Sequence, residues 1–215
     1  YASVPPGRDP ATYAIDPFLI TAILTTDAVL AYHTALEYHG KTYTTYNRMV
    51  YASDTRSPTA LFRGTEYLRV PHPATLRSTG NTEFGISSSE RDSVTIRVTN
   101  LERTLVDVLD RPDVSGSWEE IWRSLEMVEF FDLEQVIHYA EHLANATTAA
   151  KVGFYLSQHQ DALMVDDEIL AMLRRMVPKQ PHYMDRGKRS GARLVPEWNL
   201  LVPLEILERS WEEVL

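Results

Sequence analysis

The chain has 215 residues, 44% of them hydrophobic and 24% charged, enough to bury a core in one domain or two small lobes. It contains no cysteine, which excludes disulfides, thiolate catalysis and cysteine-based zinc sites, and no apolar run approaches the ~20 residues that a membrane-spanning helix needs. A formal net charge of -9 argues against indiscriminate nucleic-acid binding, and the absence of cysteine fits a cytoplasmic protein.

Tyr1 to Asp9 (YASVPPGRD) is short and bears Pro and Gly, so it reads as a linker. Asp16-Pro17 supplies an N-cap and a proline at the first helical position, opening a short helix through Leu24. Thr25-Thr26-Asp27 is read as the start of a second helix, with Ala28, Leu30, Ala31, Ala35 and Leu36 as apolar positions and Gly40 as its stop. Within it His33 and Glu37 form an i,i+4 pair, and His39 stands where a protonated ring favours a helix C-terminus.

From about 41 to 99 the texture turns β-branched and aromatic. Strands are predicted at Arg48 to Ala52, Leu61 to Phe62, Glu66 to Pro71 and Ser93 to Val98. In the last, Val94, Ile96 and Val98 alternate with Thr95 and Arg97, as in a strand half-buried against helices.

The helical part runs from about 100 to 177. Thr99-Asn100-Leu101-Glu102 reads as a capping box, and Leu101, Leu105, Val108 and Leu109 form the apolar face that follows. Arg103-Asp107 and Asp107-Arg111 are i,i+4 pairs on another face. Pro112 ends that helix, and Ser117-Trp118-Glu119-Glu120 is a second box opening a helix with Trp118, Ile121, Trp122 and Leu125 inside. Three more helices are predicted around Leu133 to Leu143, Ala149 to Leu156 and Ile169 to Met176, with Gly153 allowing close packing. Pro178 to Gly191 is a basic loop, Arg193 to Val202 a returning strand, and Trp211 ends a terminal helix. The expected class is α+β: a small mixed or antiparallel sheet packed against a helical bundle.

The order of a strand, ERTLVDVLDRP and WEEIWRSLE resembles the C-terminal domain of the AbiEi family, antitoxins and autorepressors of type IV toxin–antitoxin operons in abortive infection. AVLAYHTALEYHG (28–40), NATTAAKVGFYL (145–156) and Trp198-Asn199-Leu200 with Val202-Pro203 extend the resemblance from about Tyr13 onward. The resemblance implies a non-enzymatic domain spanning 10–215, without cofactor. Its partners would be a nucleotidyltransferase-like toxin and, through a winged helix-turn-helix ending near Tyr1 to Asp9, operator DNA.

His138-Tyr139-Ala140-Glu141-His142 spells the inverted zinc-protease pattern, so a metal-dependent hydrolase using His138, Glu141 and His142 is one alternative. Both histidines fall opposite the helix's apolar centre, where a solvated face is the better reading. None of Lys41, Lys151, Lys179 and Lys188 has an acidic residue two places before it, as a metal-dependent nuclease would need, and no phosphate loop or Asp-x-Asp pair exists. Glu102, Arg103 and Asp107 are read as structural. A scaffold domain is the other alternative.

Binding candidates come from charge. Six basic residues face two acidic ones between Lys41 and Arg77, and five face one between Lys179 and Arg193, so the acidic excess lies elsewhere. Lys179, Arg186, Lys188, Arg189 and Arg193, with Arg48 and Arg63, are the candidate nucleic-acid or partner contacts, and solvation of the loop is the competing reading.

Overall fold

A computed structural model describes Gly7, Asp9, Tyr13 and residues 15–211, so most of the predicted Tyr1 to Asp9 linker lies outside the described residues. The elements run in the order α1 (Pro17–Ile23), β1 (Val29–Leu30), α2 (His33–Tyr38), β2 (Arg48–Ala52), β3 (Ala60–Phe62), β4 (Thr65–Val70), α3 (Ala74–Thr79), β5 (Ile86–Arg91) and β6 (Val94–Thr99). They continue through α4 (Leu101–Asp110), α5 (Trp118–Glu126), α6 (Leu133–Leu143), α7 (Ala146–Gln158), α8 (Asp167–Arg174), β7 (His182–Tyr183), β8 (Arg193–Val195), β9 (Leu200–Val202) and α9 (Leu204–Leu207). Short 3-10 turns at Pro112–Val114 and Pro196–Trp198 follow α4 and β8. The fold is α+β. No helix among the described residues is long and apolar enough to cross a membrane.

Six strands form a mixed sheet in the order β3-β4-β2-β1-β6-β5, with β2/β4 and β1/β6 parallel and the other pairs antiparallel. A second sheet, β7-β9-β8, packs through β9 against α7 and brings the chain back after α8. The main core lies among α4 to α8 and includes β9, with Trp122 and Trp198 fully enclosed. Burying such an indole removes roughly 150–250 Å² from water, so these two side chains are among the largest single contributors to the core.

The stretch read as one helix from Ala28 to Gly40 is instead a strand and a helix. Ala28 to Leu36 is buried at every position, and its first five residues, Ala28 to Tyr32, are a continuous apolar run rather than a stripe. Such a run suits a central strand flanked on both sides, and β1 pairs with β2 on one edge and β6 on the other. Tyr32, at φ +58, turns the backbone into α2.

The cap of α4 also differs from the predicted box. Asn100, not Thr99, is the N-cap and accepts the Arg103 N–H at 3.0 Å, while Thr99 Oγ1 bonds Thr104 Oγ1 at 2.7 Å. Glu102 accepts the backbone N–H of Asp132 at 3.2 Å, tying α4 to the start of α6. At α5 Ser117 caps as expected, accepting the Glu120 N–H at 3.1 Å, but the Glu120 carboxylate turns away to the Thr44 N–H at 3.0 Å and Ser124 Oγ at 2.8 Å. The predicted Arg193 to Val202 strand breaks at Pro196, because proline has no N–H for the ladder. The terminal helix closes at Leu207, short of Trp211.

Arg103 and Asp107 do pair, at 3.3 Å, but they sit inside the protein and are 1% and 3% exposed. Arg103 also donates to the carbonyls of Thr82 at 2.8 Å and Phe84 at 2.7 Å, and Tyr139 Oη donates to Asp107 at 2.6 Å. Burial pushes the Asp107 carboxyl up, and the Arg103 charge and the Tyr139 hydroxyl act against it. The second predicted pair is not formed: Arg111 makes a two-point contact with Asp113, at 2.9 and 2.8 Å. This network clamps α4 to α6 and to the loop between α3 and β5.

Candidate functional site

The basic loop is held down at its centre. Met184 is buried, Asp185 Oδ2 accepts the Trp118 indole N–H at 2.8 Å, and Asp185 Oδ1 accepts the Gly187 N–H at 2.7 Å. These bonds hold the Asp185 carboxyl below its ordinary range although burial works the other way. Around that anchor the cations divide into two groups. Lys188 pairs with Glu205 at 2.5 Å and Arg193 with Glu208 at 3.6 Å, so both serve to fasten the loop to α9 and the residue after it. Arg189 lies 5.4 Å from the centre of the Tyr183 ring and donates to the Arg186 carbonyl at 3.0 Å. Lys179 and Arg186 are exposed, and among the described residues neither meets a carboxylate.

Arg186 stands at the mouth of a cavity of about 360 Å³, whose opposite wall is the start of α7 and the end of α4. A smaller space of about 240 Å³ adjoins it, sharing Thr147, Tyr183 and Arg186 and adding Arg189. On the floor is Lys151, 6% exposed, with Nζ donating to the Leu109 carbonyl at 2.8 Å and lying 5.4 Å from the centre of the Trp118 ring. Burial pulls the amine down to about 8, with Asp110, Asp185 and Asp113 raising it and Arg186 lowering it further.

Sequence reasoning passed over Lys151. The signal was present: a single lysine inside NATTAAKVGFYL, where every residue from Thr148 to Leu156 is buried, has no solvated face to occupy. A lysine there must either pair inside or line a cavity.

Arg48 and Arg63 lie elsewhere on the surface. Arg48 faces Glu66 across the parallel register of β2 and β4 at 2.5 Å and lines a cavity of about 410 Å³ that also contains His33. That cavity and the Lys151 cavity flank the same turn, sharing Pro112 and Asp113. Arg63, at the β3–β4 turn with φ +49, donates to the Tyr13 carbonyl and lies 5.2 Å from the Phe62 ring centre.

His33 does not pair with Glu37. It is buried, and its Nε2–H donates to the Glu120 carboxylate at 3.2 Å. Glu120 and His33 thus join α5 to α2. Burial holds the His33 ring below its ordinary range, with Glu120 only partly offsetting it, and burial beside the Arg103 charge does the same to His72. Both rings are therefore neutral in the folded state at pH values where the unfolded chain already binds protons, so acid favours unfolding. The melting temperature is expected to fall as pH drops below about 6.5, the ordinary histidine value, and His72→Gln should flatten part of that fall. An unchanged slope in the variant would remove His72 from this account.

The H-x-x-E-H residues do not converge. His138 and Glu141 are exposed on α6, whereas His142 is half-buried, its Nδ1 bonded to Asn81 at 3.1 Å and its ring edge-on to Phe84 at 5.0 Å. The expectation that both histidines lie in solvent is corrected for His142, because α3 and the loop after it pack on that face of α6. Among the described residues no three His, Asp or Glu side chains gather as a metal would require.

No family model matches the chain, and no curated protein matches it. In three dimensions it is similar to the RV2827C protein from Mycobacterium tuberculosis, with a TM-score of 0.56 and 16% identity over 92% of this chain and 72% of that one. At that identity the likeness establishes a shared fold.

Proposed function

We propose that the chain is the antitoxin domain of an AbiEi-like type IV toxin–antitoxin system, a cytoplasmic, non-enzymatic binding domain whose operator DNA is read by a separate winged helix. The observation that carries this reading is where the resembling residues lie. Val98 to Glu126 forms the end of β6, α4 and α5, the segment on which sheet and bundle meet, and its buried polar side chains are spent on structure. Arg103 and Asp107 bind each other and Tyr139, and Glu120 binds His33, Ser124 and the Thr44 backbone. The ordered resemblance is thus a resemblance of the fold-determining junction.

Catalysis finds less support, since His142 is engaged by Asn81 and the remaining acidic side chains around the Lys151 cavity hold internal hydrogen bonds. The partner would be a nucleotidyltransferase-like toxin, antagonised through exposed charge on the loop. Co-expression with the toxin encoded beside this protein tests the proposal. Growth should recover when the chain is induced and continue to fail when an unrelated acidic protein is induced; persistent toxicity in the presence of soluble, folded chain would overturn it.

A further inference from the structure

The Lys151 cleft has the makings of a ligand site whose floor the antitoxin reading does not use; it shares Arg186 and Arg189 with the loop surface of that reading, and its binding test is independent of toxin rescue. A buried ammonium is costly unless an anion compensates it. None of the three nearby carboxylates forms an ion pair with Lys151 among the described residues, although Asp110, Asp113 and Asp185 line the cleft and their charges raise the amine. Asp110 accepts from Asn145 at 2.9 Å and Thr148 at 2.5 Å, Asp113 holds Arg111 at both oxygens, and Asp185 takes the Trp118 indole and the Gly187 N–H. Lys151 itself donates one bond, to the Leu109 carbonyl, and a carbonyl neutralises no charge.

Above this floor the cavity opens at the N-terminal end of the thirteen-residue helix α7, where the helix dipole favours anions. Arg186, without a carboxylate partner among the described residues, stands at its mouth, and Arg189, already stacked on Tyr183, lines the adjoining smaller space. Adjoining spaces of about 360 and 240 Å³ are the size of pockets that take small ligands.

We propose that this cleft binds the phosphate group of a mononucleotide-sized ligand, with Lys151 meeting the phosphate at the floor, Arg186 closing on it at the mouth and Arg189 lining the adjoining space. Guanidinium forks suit phosphate oxygens, and a desolvated ammonium beneath them strengthens the hold. The same chemistry is offered by free phosphate, by a nucleotide and by the phosphorylated end of a nucleic acid. Three probes separate these sources.

Calorimetric titration of the 215-residue chain with inorganic phosphate, adenosine 5′-monophosphate and a 5′-phosphorylated dinucleotide tests the site. At about pH 7.5, where the phosphate is a dianion and the buried amine still carries its proton, one-site saturable binding of at least one probe is expected. The tightest of the three identifies the source. Affinity should fall about tenfold near pH 9.5 and about tenfold in Lys151→Met, which keeps the buried stem and removes the charge. Arg186→Ala, an exposed truncation that leaves the fold intact, should weaken it several-fold and keeps the test open should Lys151→Met fail to fold. Adenosine without phosphate should give no saturable heat. The proposal is overturned if no probe saturates by about 10 mM, if adenosine binds as well as its phosphate, or if Arg186→Ala and a folded Lys151→Met bind like the unaltered chain. None of these results depends on toxin rescue in cells, so failure here and failure of the antitoxin reading are separate events.

Discussion

Arg103→Met is expected to lower the free energy of unfolding by about 3–5 kcal/mol, the usual cost of stranding one member of a buried ion pair. The side chain is enclosed, and its loss would leave Asp107 with only the Tyr139 hydroxyl and would free the carbonyls of Thr82 and Phe84. Denaturant unfolding measures this directly. The cost lies in the stranded charge more than in the pair, so Arg103→Met with Asp107→Leu should recover a large part of it, as paired apolar replacements of buried ions often do. Tyr139→Phe, which removes a single bond to a charged group, should cost about 1.5–3 kcal/mol. A loss below about 1 kcal/mol in Arg103→Met would mean that the network is not the clamp between α4 and α6 described above.

Gly153→Ala is expected to destabilise by about 1–3 kcal/mol or more, although the same change on an exposed helix face would stabilise by about 1 kcal/mol. The sign is decided by Trp198. Gly153 lies in α7 under the indole, and a Cβ built there would overlap the Cζ3, Cε3 and Cη2 carbons of a side chain that is itself fully enclosed. Trp198 Nε1 also donates to Ser157 Oγ on α7 at 3.3 Å, so moving the indole off Gly153 would strain that bond as well. Trp198→Phe should therefore partly rescue Gly153→Ala in a double-mutant cycle, and additive losses would contradict the contact.

That close approach was legible in the sequence, as were the helices α4 to α8: α4, α5, α6 and α8 carry a stripe of period near 3.6, whereas α7 is buried along Thr148 to Leu156 and is marked by its Ala-rich run. What escaped was set by tertiary pairing. The apolar run at Val29–Leu30 suits a central strand and a buried helix equally, and only its two neighbours in the sheet decide between them. Strand β5, ISSSER, is almost wholly exposed and low in β-branched residues; it is a strand because β6 templates six consecutive pairs. Two-residue β7 carries no pattern at all.

The candidate site was legible in part. Clustered positive charge marked the loop, and Arg186 and Arg189 do line one cleft. Charge counting could not tell them from Lys188 and Arg193, which are matched by Glu205 and Glu208 some seventeen and fifteen residues further along the chain. Nor could it place Lys151, whose partners come from α4, the turn after it and the loop before β8. Buried pairs mislead for a related reason: Arg103 and Asp107 have the spacing of a solvated i,i+4 pair, and only the arrival of α6 and the α3–β5 loop encloses them.

The proposed antitoxin domain would act through the exposed cations of the loop before β8. Toxin rescue by Arg186→Glu with Arg189→Glu, measured alongside the melting temperature of the purified variant, tests it most directly. Both side chains are exposed and neither is matched to a carboxylate among the described residues, so stability should change by no more than about 0.5 kcal/mol. Growth rescue should be lost, together with the salt-sensitive part of any binding to the toxin. Full rescue by a variant that melts like the unaltered chain would contradict the claim.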